Sequence, residues 1–332
     1  MAETRESSGS KRRSPAAPPK IRIGISGCLL GQKVRWDGSH KRDRFITDTL
    51  GRHFEWVPVC PELEVGMGVP RETVRLTGSA EAPRMVGVRS GRDWTAPMGG
   101  YSRERVRDLE KLDLSGYILK SDSPSCGMER VRVYPEKGMA VRKGVGIFAR
   151  ALMEQFPLLP VEEEGRLCDP DLRENFIERV FAHRRWRDLE ASGCRRGDLV
   201  AFHTAHKFLI LSHSPRHYQV LGRLVAAAKS HTPHQLAALY GGTLMEALRI
   251  PATVKRHFNV LQHLAGFLKE GMEAAEKREL AEVLEDYRRG LVPLVVPLTL
   301  LKHHVRRHEA AYVLDQIYLN PHPKELMLRN HV

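Results

Sequence analysis

Hydrophobic and polar positions follow two regimes along the chain. Up to about residue 156, apolar residues come in short runs separated by longer amphipathic stretches. Ile21-Arg-Ile-Gly-Ile-Ser26, Phe54-Glu-Trp-Val-Pro-Val59 and Gly116-Tyr-Ile-Leu-Lys120 are rich in β-branched and aromatic residues, which suit strands. Between them, His40 to Leu50 and Tyr101 to Leu112 carry helical spacing. This alternation predicts an α/β domain with a mostly parallel, Rossmann-like sheet, and such sheets bind ligands at the carboxyl ends of their strands. Beyond residue 171 the apolar period changes to three- and four-residue steps. It predicts helices over Leu172–Leu189, Leu199–Leu211, Arg216–Ala228, Thr232–Leu248, Pro251–Ala274 and Lys277–Arg289, with a last one from Thr299 to Leu319. Val292 to Val296 is ambiguous, because Pro293 and Pro297 break or kink whatever forms there. The second domain is therefore expected to be mainly α-helical.

The boundaries follow from composition. Residues 1–20 are polar, carry Lys11-Arg12-Arg13 and three prolines, and lack the apolar core of a secretory signal. They read as a disordered basic leader on a cytoplasmic protein. Residues 21–156 form the first domain. Pro157, Pro160, Glu162-Glu-Glu164, Gly165 and Pro170 mark 157–171 as a linker, and 172–332 make the second domain. No stretch approaches the roughly 18 consecutive apolar residues of a membrane span, so no membrane association is expected. Charge adds one clue: the net +13 is spread over both parts, which fits a polyanionic partner such as nucleic acid.

Five cysteines in a reducing compartment are free, metal-bound or catalytic rather than disulfide-bonded. Each of the three predicted strands runs into one of them: Cys28, Cys60 and Cys126. The three would converge at one edge of the sheet. They are too far apart in sequence for a zinc ribbon, and thiolates are soft ligands suited to zinc, copper(I) or iron–sulfur clusters. Three cysteines can hold three irons of a 4Fe–4S cube and leave the fourth open. From spacing alone, three ordinary buried thiols read equally well. Cys168 and Cys194 lie apart and read as incidental.

The local wording adds to this. Gly27-Cys-Leu-Leu-Gly31, Val59-Cys-Pro-Glu62 with Gly66-Met-Gly-Val-Pro-Arg71, and Lys120 with Ser123-Pro-Ser-Cys-Gly127 together resemble the thiouracil/thiouridine desulfidase family. The region after residue 171 resembles the YbgA-type domain. The matching words are Phe202-His-Thr-Ala-His-Lys-Phe208, Tyr218 with Leu221-Gly222, Val296-Pro-Leu-Thr-Leu300, and Asn320-Pro-His-Pro-Lys-Glu-Leu326 with Leu328-Arg-Asn330. The resemblance implies a 4Fe–4S cluster held by Cys28, Cys60 and Cys126, whose open iron takes thiocarbonyl sulfur without net redox change. It implies a carboxylate and a serine nearby: Glu62 for proton transfer, and Ser123 to orient substrate or water, with Ser125 and then Ser121 as further choices. Without it, Glu62 reads as a helix cap and the serines as a turn.

The two-part arrangement resembles bacterial enzymes that remove sulfur from 4-thiouridine in tRNA, which makes tRNA the expected partner and leaves the sulfide acceptor unspecified. A desulfidase of free thiouracil or 4-thiouridine monophosphate is the alternative within enzymes. An iron–sulfur RNA-binding sensor is the alternative from another class. Candidate RNA contacts in the helical domain are Arg184, Arg185, Arg187, His206, Lys207, Lys255 and Arg256, with Trp186 as a stacking surface. The alternative reading is a solvated helix face for the charged residues and a core position for Trp186.

Overall fold

The computed structural model describes residues 20–331; the basic leader expected over 1–20 lies, apart from Lys20, outside the described residues. Four parallel strands form the first sheet: β1 (Ile21–Ser26), β2 (Phe54–Val59), β5 (Gly116–Leu119) and β8 (Val161–Glu163), in the order β2-β1-β5-β8. Ile23 and Ile25 of β1 are fully buried. The glycine between them is required by a close approach, since a Cβ on Gly24 would stand 2.2 Å from the ring of the buried Tyr117.

A second sheet was not expected. It comprises β3 (Val74–Gly78), β4 (Pro83–Gly87), β6 (Val131–Tyr134) and β7 (Val141–Gly144), in the order β4-β3-β6-β7. Only the β3–β6 pair is parallel; the β3–β4 and β6–β7 pairs are antiparallel. Its strands are short and carry outward arginines such as Arg75, Arg84 and Arg132, which hides them from an apolar-run reading.

One face of the first sheet is covered by α1 (Thr95–Glu110) and α2 (Ile147–Gln155), through Val106, Leu109, Phe148 and Leu152. The other face corrects the expected boundaries. Strand β8 lies inside the stretch expected as linker, with Glu162 and Glu163 buried. Directly after it, α3 (Pro170–Ala191) lays Phe176, Ile177 and Val180 against Ile23, Ile25, Phe54 and Ile118, and Leu326 and Leu328 join the same cluster. The sheet is thus closed by the first helix and the last turns of the C-terminal part. Asp169 caps α3 by accepting from the N–H groups of Asp171 and Leu172, with Pro170 in the first turn.

The remaining helices pack around a separate core: α4 (Arg196–His213), α5 (Pro215–Ala226), α6 (Pro233–Arg249), α7 (Val254–Gly266), α8 (Ala274–Arg288), α9 (Val295–Arg307) and α10 (Ala311–Leu314). Two expected helices are shorter than the periodicity suggests. The Pro251–Ala274 stretch stops at Gly266 and restarts at Ala274 behind a Glu273/Glu276 capping box. The Thr299–Leu319 stretch breaks at Arg307, with Glu309 in the left-handed region at φ 49°. The ambiguous Val292–Val296 segment is split: Val292 to Leu294 precede the helix, and Val295 and Val296 open α9, where Pro297 sits in the first turn, a position that tolerates it.

Candidate active site

Strands β2, β1 and β5 are neighbours and parallel, so their carboxyl ends lie side by side. Cys28 sits in the helical turn Gly27–Leu30 directly after β1, Cys60 follows β2, and Cys126 lies in the loop after β5. All three are free thiols and all line one cavity of about 410 Å³. Neither Cys168 nor Cys194 lines it. The Cys126 loop is seated on α2. The N–H groups of Ile147 and Ala149 donate to the carbonyls of Pro124 and Ser125, at 3.2 and 3.1 Å. Gly146 leaves the space for this, because a Cβ there would stand 2.4 Å from the Ser125 carbonyl oxygen.

The thiols are electrostatically close. Burial pushes Cys28 up to about 11, with Cys60 adding to the rise. Burial also raises Cys126, followed by the charge of Glu62, while a hydrogen bond with Ser26 works the other way. Cys60 is raised by burial and partly relieved by the backbone N–H of Leu63. Its sulfur lies 3.7 Å from the Val34 carbonyl oxygen. Donor groups close enough for a single ion, within 4.8 Å of one another, occur elsewhere among the described residues: Glu276 with His304 and His308, and Glu174 with Glu178 and His322. The three cysteine sulfurs are not all within that distance of one another.

Glu62 also lines the cavity and is held at both oxygens. Arg71 donates from Nε (3.1 Å) and Nη2 (2.6 Å) to Oε2, and Ser125 donates from Oγ to Oε1 at 2.6 Å. Arg71 is itself nearly buried, and its Nη1 donates to the carbonyls of Val34 and Gly68, both at 3.0 Å. Ser123 Oγ lies 3.1 Å from Ser125 Oγ and accepts from the N–H groups of Cys126 (3.1 Å) and Ser125 (3.3 Å). The directions follow from donor count. The Ser125 hydroxyl proton is committed to the carboxylate, so Ser125 accepts from Ser123. The chain runs Ser123 → Ser125 → Glu62 and ends at Ser123, the half-exposed member. Ser125, the second choice in sequence, is thus the one in contact with Glu62. Ser121 is tied with Lys120 to Glu164 and stands apart from the chain. Arg71 was missed as a functional residue; its place in the Gly66–Arg71 motif was the available signal.

The expected RNA contacts in the helical region are mostly occupied within the fold. Arg184 pairs with Asp113 (2.7 Å) and Asp188 (2.5 Å), and Arg187 with Asp113 (3.5 Å) and Glu190 (3.4 Å). Arg185 is largely buried and donates to the Pro321 carbonyl. His206 is buried, with its pKa pushed down to about 3 by that burial, and Nδ1 lies 2.8 Å from the Phe202 carbonyl oxygen. Lys207 sits over the Phe208 and Tyr312 rings, and Arg256 donates to the carbonyls of His213 (2.8 Å) and Pro251 (3.2 Å). Trp186 is fully buried and stacks on Tyr240. Lys255 alone of this set is exposed without an ion pair among the described residues.

A parallel sheet delivering three cysteines, a paired carboxylate and two serines to one cavity defines a class of cysteine-lined α/β enzyme sites, and the comparisons agree with that class. The family model described as 2-thiouracil desulfurase matches residues 23–164, and the model described as a protein of unknown function (DUF1722) matches residues 207–323. The uncharacterized protein YbgA of Escherichia coli (strain K12) is 32% identical over 158 residues, covering 46% of this chain and 90% of YbgA. The uncharacterized protein YbbK of Bacillus subtilis (strain 168) is 31% identical over 110 residues, covering 32% of this chain and 72% of YbbK. A solved structure of the [4Fe-4S]-dependent thiouracil desulfidase TudS is 28% identical, covers 45% of this chain and 94% of that one, and superposes with a TM-score of 0.37. The chain belongs to the 2-thiouracil desulfurase family through its first part and to the YbgA (DUF1722) family through its second.

Proposed function

We propose that the protein hydrolyses the thiocarbonyl of 4-thiouridine in tRNA to uridine and sulfide, using a 4Fe–4S cluster held by Cys28, Cys60 and Cys126. The observation that carries this reading is the convergence of three thiols from three adjacent strand ends on one cavity, beside a hydrogen-bonded carboxylate. The residues fit such a group. They supply three soft donors from three adjacent strand ends, and among the described residues no fourth cysteine and no histidine lines the cavity. A fourth protein ligand is what a saturated sensor cluster would need, so the cavity favours the enzyme over the sensor. When bound through three thiolates, the cluster supplies an iron with a free position, a Lewis acid for soft thiocarbonyl sulfur.

The protein's own groups supply the proton handling. Replacing C=S by C=O consumes one water and releases sulfide, with no change in oxidation state. Glu62 Oε1, already an acceptor for Ser125, takes the proton that water loses as it adds to the ring carbon. Arg71 keeps the carboxylate aimed at Ser125 and balances its charge. Ser123 positions Ser125: its hydroxyl donates to Ser125 Oγ while its oxygen is pinned by two backbone N–H groups, which aims the Ser125 proton at Glu62. The low exposure of Cys28, Cys126 and Ser125 keeps bulk water from the reacting centre.

The net charge of +13 supports a polyanionic substrate. A second reading, action on free 4-thiouridine monophosphate, is favoured by the internal use of most helical-region cations. Sulfide release by the anaerobically purified full chain from thiolated tRNA and from 4-thiouridine monophosphate separates them. The proposal expects kcat/KM at least about tenfold higher on tRNA; equal or higher values on the mononucleotide replace tRNA with the second reading.

A further inference from the structure

Four tryptophans occur in the chain. Trp186 stacks on Tyr240, Trp56 packs edge-on against Phe54, and Trp94 lies under the Arg92 guanidinium at 4.0 Å. Trp36 differs. It is 45% exposed, it lines the cavity that holds the three cysteines, and no aromatic ring or cation among the described residues stacks on it. Exposing an indole costs hydrophobic free energy unless something covers it.

Trp36 is also held in place. It sits in a tight turn closed by the Gly38 N–H donating to the Arg35 carbonyl (3.0 Å) and the Arg35 N–H donating to the Ser39 carbonyl (3.3 Å). Asp37 accepts from both the N–H and the hydroxyl of Ser39. The Trp36 carbonyl accepts from the N–H of Arg71 at 2.8 Å, the residue that grips Glu62. The ring is therefore presented on a rigid loop tied to the reacting groups.

Two cations, Arg35 and Lys41, line the same cavity. Arg35 buries an Nε that has no hydrogen-bond partner among the described residues, with the Asp37 carboxylate 3.8 Å away. An orphaned buried guanidinium donor calls for an acceptor. Lys41 is tied by its backbone N–H to the Cys28 carbonyl at 2.9 Å, while its exposed side chain makes no ion pair with the described residues. A stacking surface on the same cavity as Lys41 and the Arg35 guanidinium, the first unpaired and the second with no hydrogen bond at Nε among the described residues, is the chemistry that recognises a base carrying a phosphate. A cavity of about 410 Å³ is in the size range of small-ligand sites.

We propose that Trp36 stacks on the pyrimidine ring and that Arg35 and Lys41 bind its phosphate, so that the cavity takes nucleotides in preference to free bases. This rests on reading the cavity as the thiouridine site, and it places nucleotide recognition on the Cys28 loop instead of the helical region. The test is calorimetric titration of the full chain with uridine monophosphate, uridine and uracil, none of which carries sulfur, so no turnover is needed. The expected affinity order is uridine monophosphate, then uridine, then uracil. Trp36→Ala weakens uridine monophosphate about tenfold, and Trp36→Phe stays within about threefold of the unaltered protein. Lys41→Met weakens the monophosphate about fivefold and leaves uridine unchanged. Circular dichroism checks that each variant keeps its helix content.

Undetectable binding of uridine monophosphate at millimolar concentration, equal affinity for uracil and the monophosphate, or an unchanged Trp36→Ala variant overturns the proposal. Sulfide release by the cluster-loaded protein is scored separately. If it is absent while Trp36-dependent nucleotide binding persists, the desulfidase reading falls and the nucleotide site stands.

Discussion

The protein contains two buried arginine–glutamate sites, and they are built differently. In the α/β region, Arg71 grips one oxygen of Glu62, while the other oxygen starts a hydroxyl chain that ends at the half-exposed Ser123. In the helical region, Arg329 donates to Glu174 (2.9 Å), Glu178 (2.5 Å) and the Tyr318 carbonyl (2.8 Å). Glu178 then lies 3.1 Å from His213 Nε2, and His213 Nδ1 lies 2.7 Å from the Ile250 carbonyl oxygen. Every member of that second network is answered by another part of the fold. The Glu62 carboxylate borders the cavity that the three cysteines line, where a substrate can reach it; the Arg329 network fixes helices to each other. On the proposed function, chemistry belongs to the first site, whose cavity also holds Cys28, Cys60 and Cys126, and architecture to the second, whose cavity has no cysteine among the described residues.

The comparison predicts a dissociation of effects. Arg329→Met leaves two buried carboxylates without their counter-charge and is expected to cost about 3–5 kcal/mol of stability. Urea unfolding measures this, and a loss under about 1 kcal/mol would show that the network is not holding the helices. Glu62→Gln keeps the volume and an acceptor for Ser125 but removes the proton acceptor. Turnover is expected to fall about 100-fold or more, with a smaller loss of stability than in Arg329→Met because Arg71 keeps its bonds to the Val34 and Gly68 carbonyls. Activity within a few-fold of the parent would remove Glu62 from proton transfer.

A third effect is a pH dependence, which three buried histidine rings together bring to the scale of the Arg329→Met loss by pH 5. Burial lowers His183 to about 4 and His206 and His257 to about 3. A histidine kept neutral by the fold contributes stability that is fully present above its unfolded value near 6.5 and is lost as pH falls toward the folded value. Each should cost up to about 1.4 kcal/mol per pH unit below 6.5. Unfolding followed by helical circular dichroism at pH 7 and pH 5 reads the slope, and a flat profile would contradict the burial of these three rings.

Much of the site was readable because each strand that leads to a cysteine is a β-branched or aromatic run and each cysteine has a glycine or proline beside it, Gly27, Pro61 and Gly127. Strand β8 escaped because its middle is acidic. Glu162 and Glu163 are buried through hydrogen bonds, with Arg166 at 2.6 Å and the Met128 N–H at 2.8 Å, and not through hydrophobicity. The role of α3 escaped for a related reason. Its periodicity marks a helix, but its buried Glu174, Glu178, Arg179 and His183 disguise how many of its sides are covered. The helical-region cations misled because Asp113, which neutralises two of them, comes from the α/β region, a pairing that no local pattern reveals. Since α3 closes the first sheet, a chain cut near residue 165 would expose Ile23, Ile25 and Ile118. Such a truncation tests folding before it tests substrate choice.

The central claim is that Cys28, Cys60 and Cys126 jointly hold one cluster. Iron and acid-labile sulfide counted on the anaerobically reconstituted full chain, and on each single cysteine-to-serine variant, address it directly. About four irons per parent chain are expected, with a collapse of that number in Cys28→Ser, Cys60→Ser and Cys126→Ser and parent values in Cys168→Ser and Cys194→Ser. Full iron content in any of the first three, or its loss in either of the last two, would contradict the assignment.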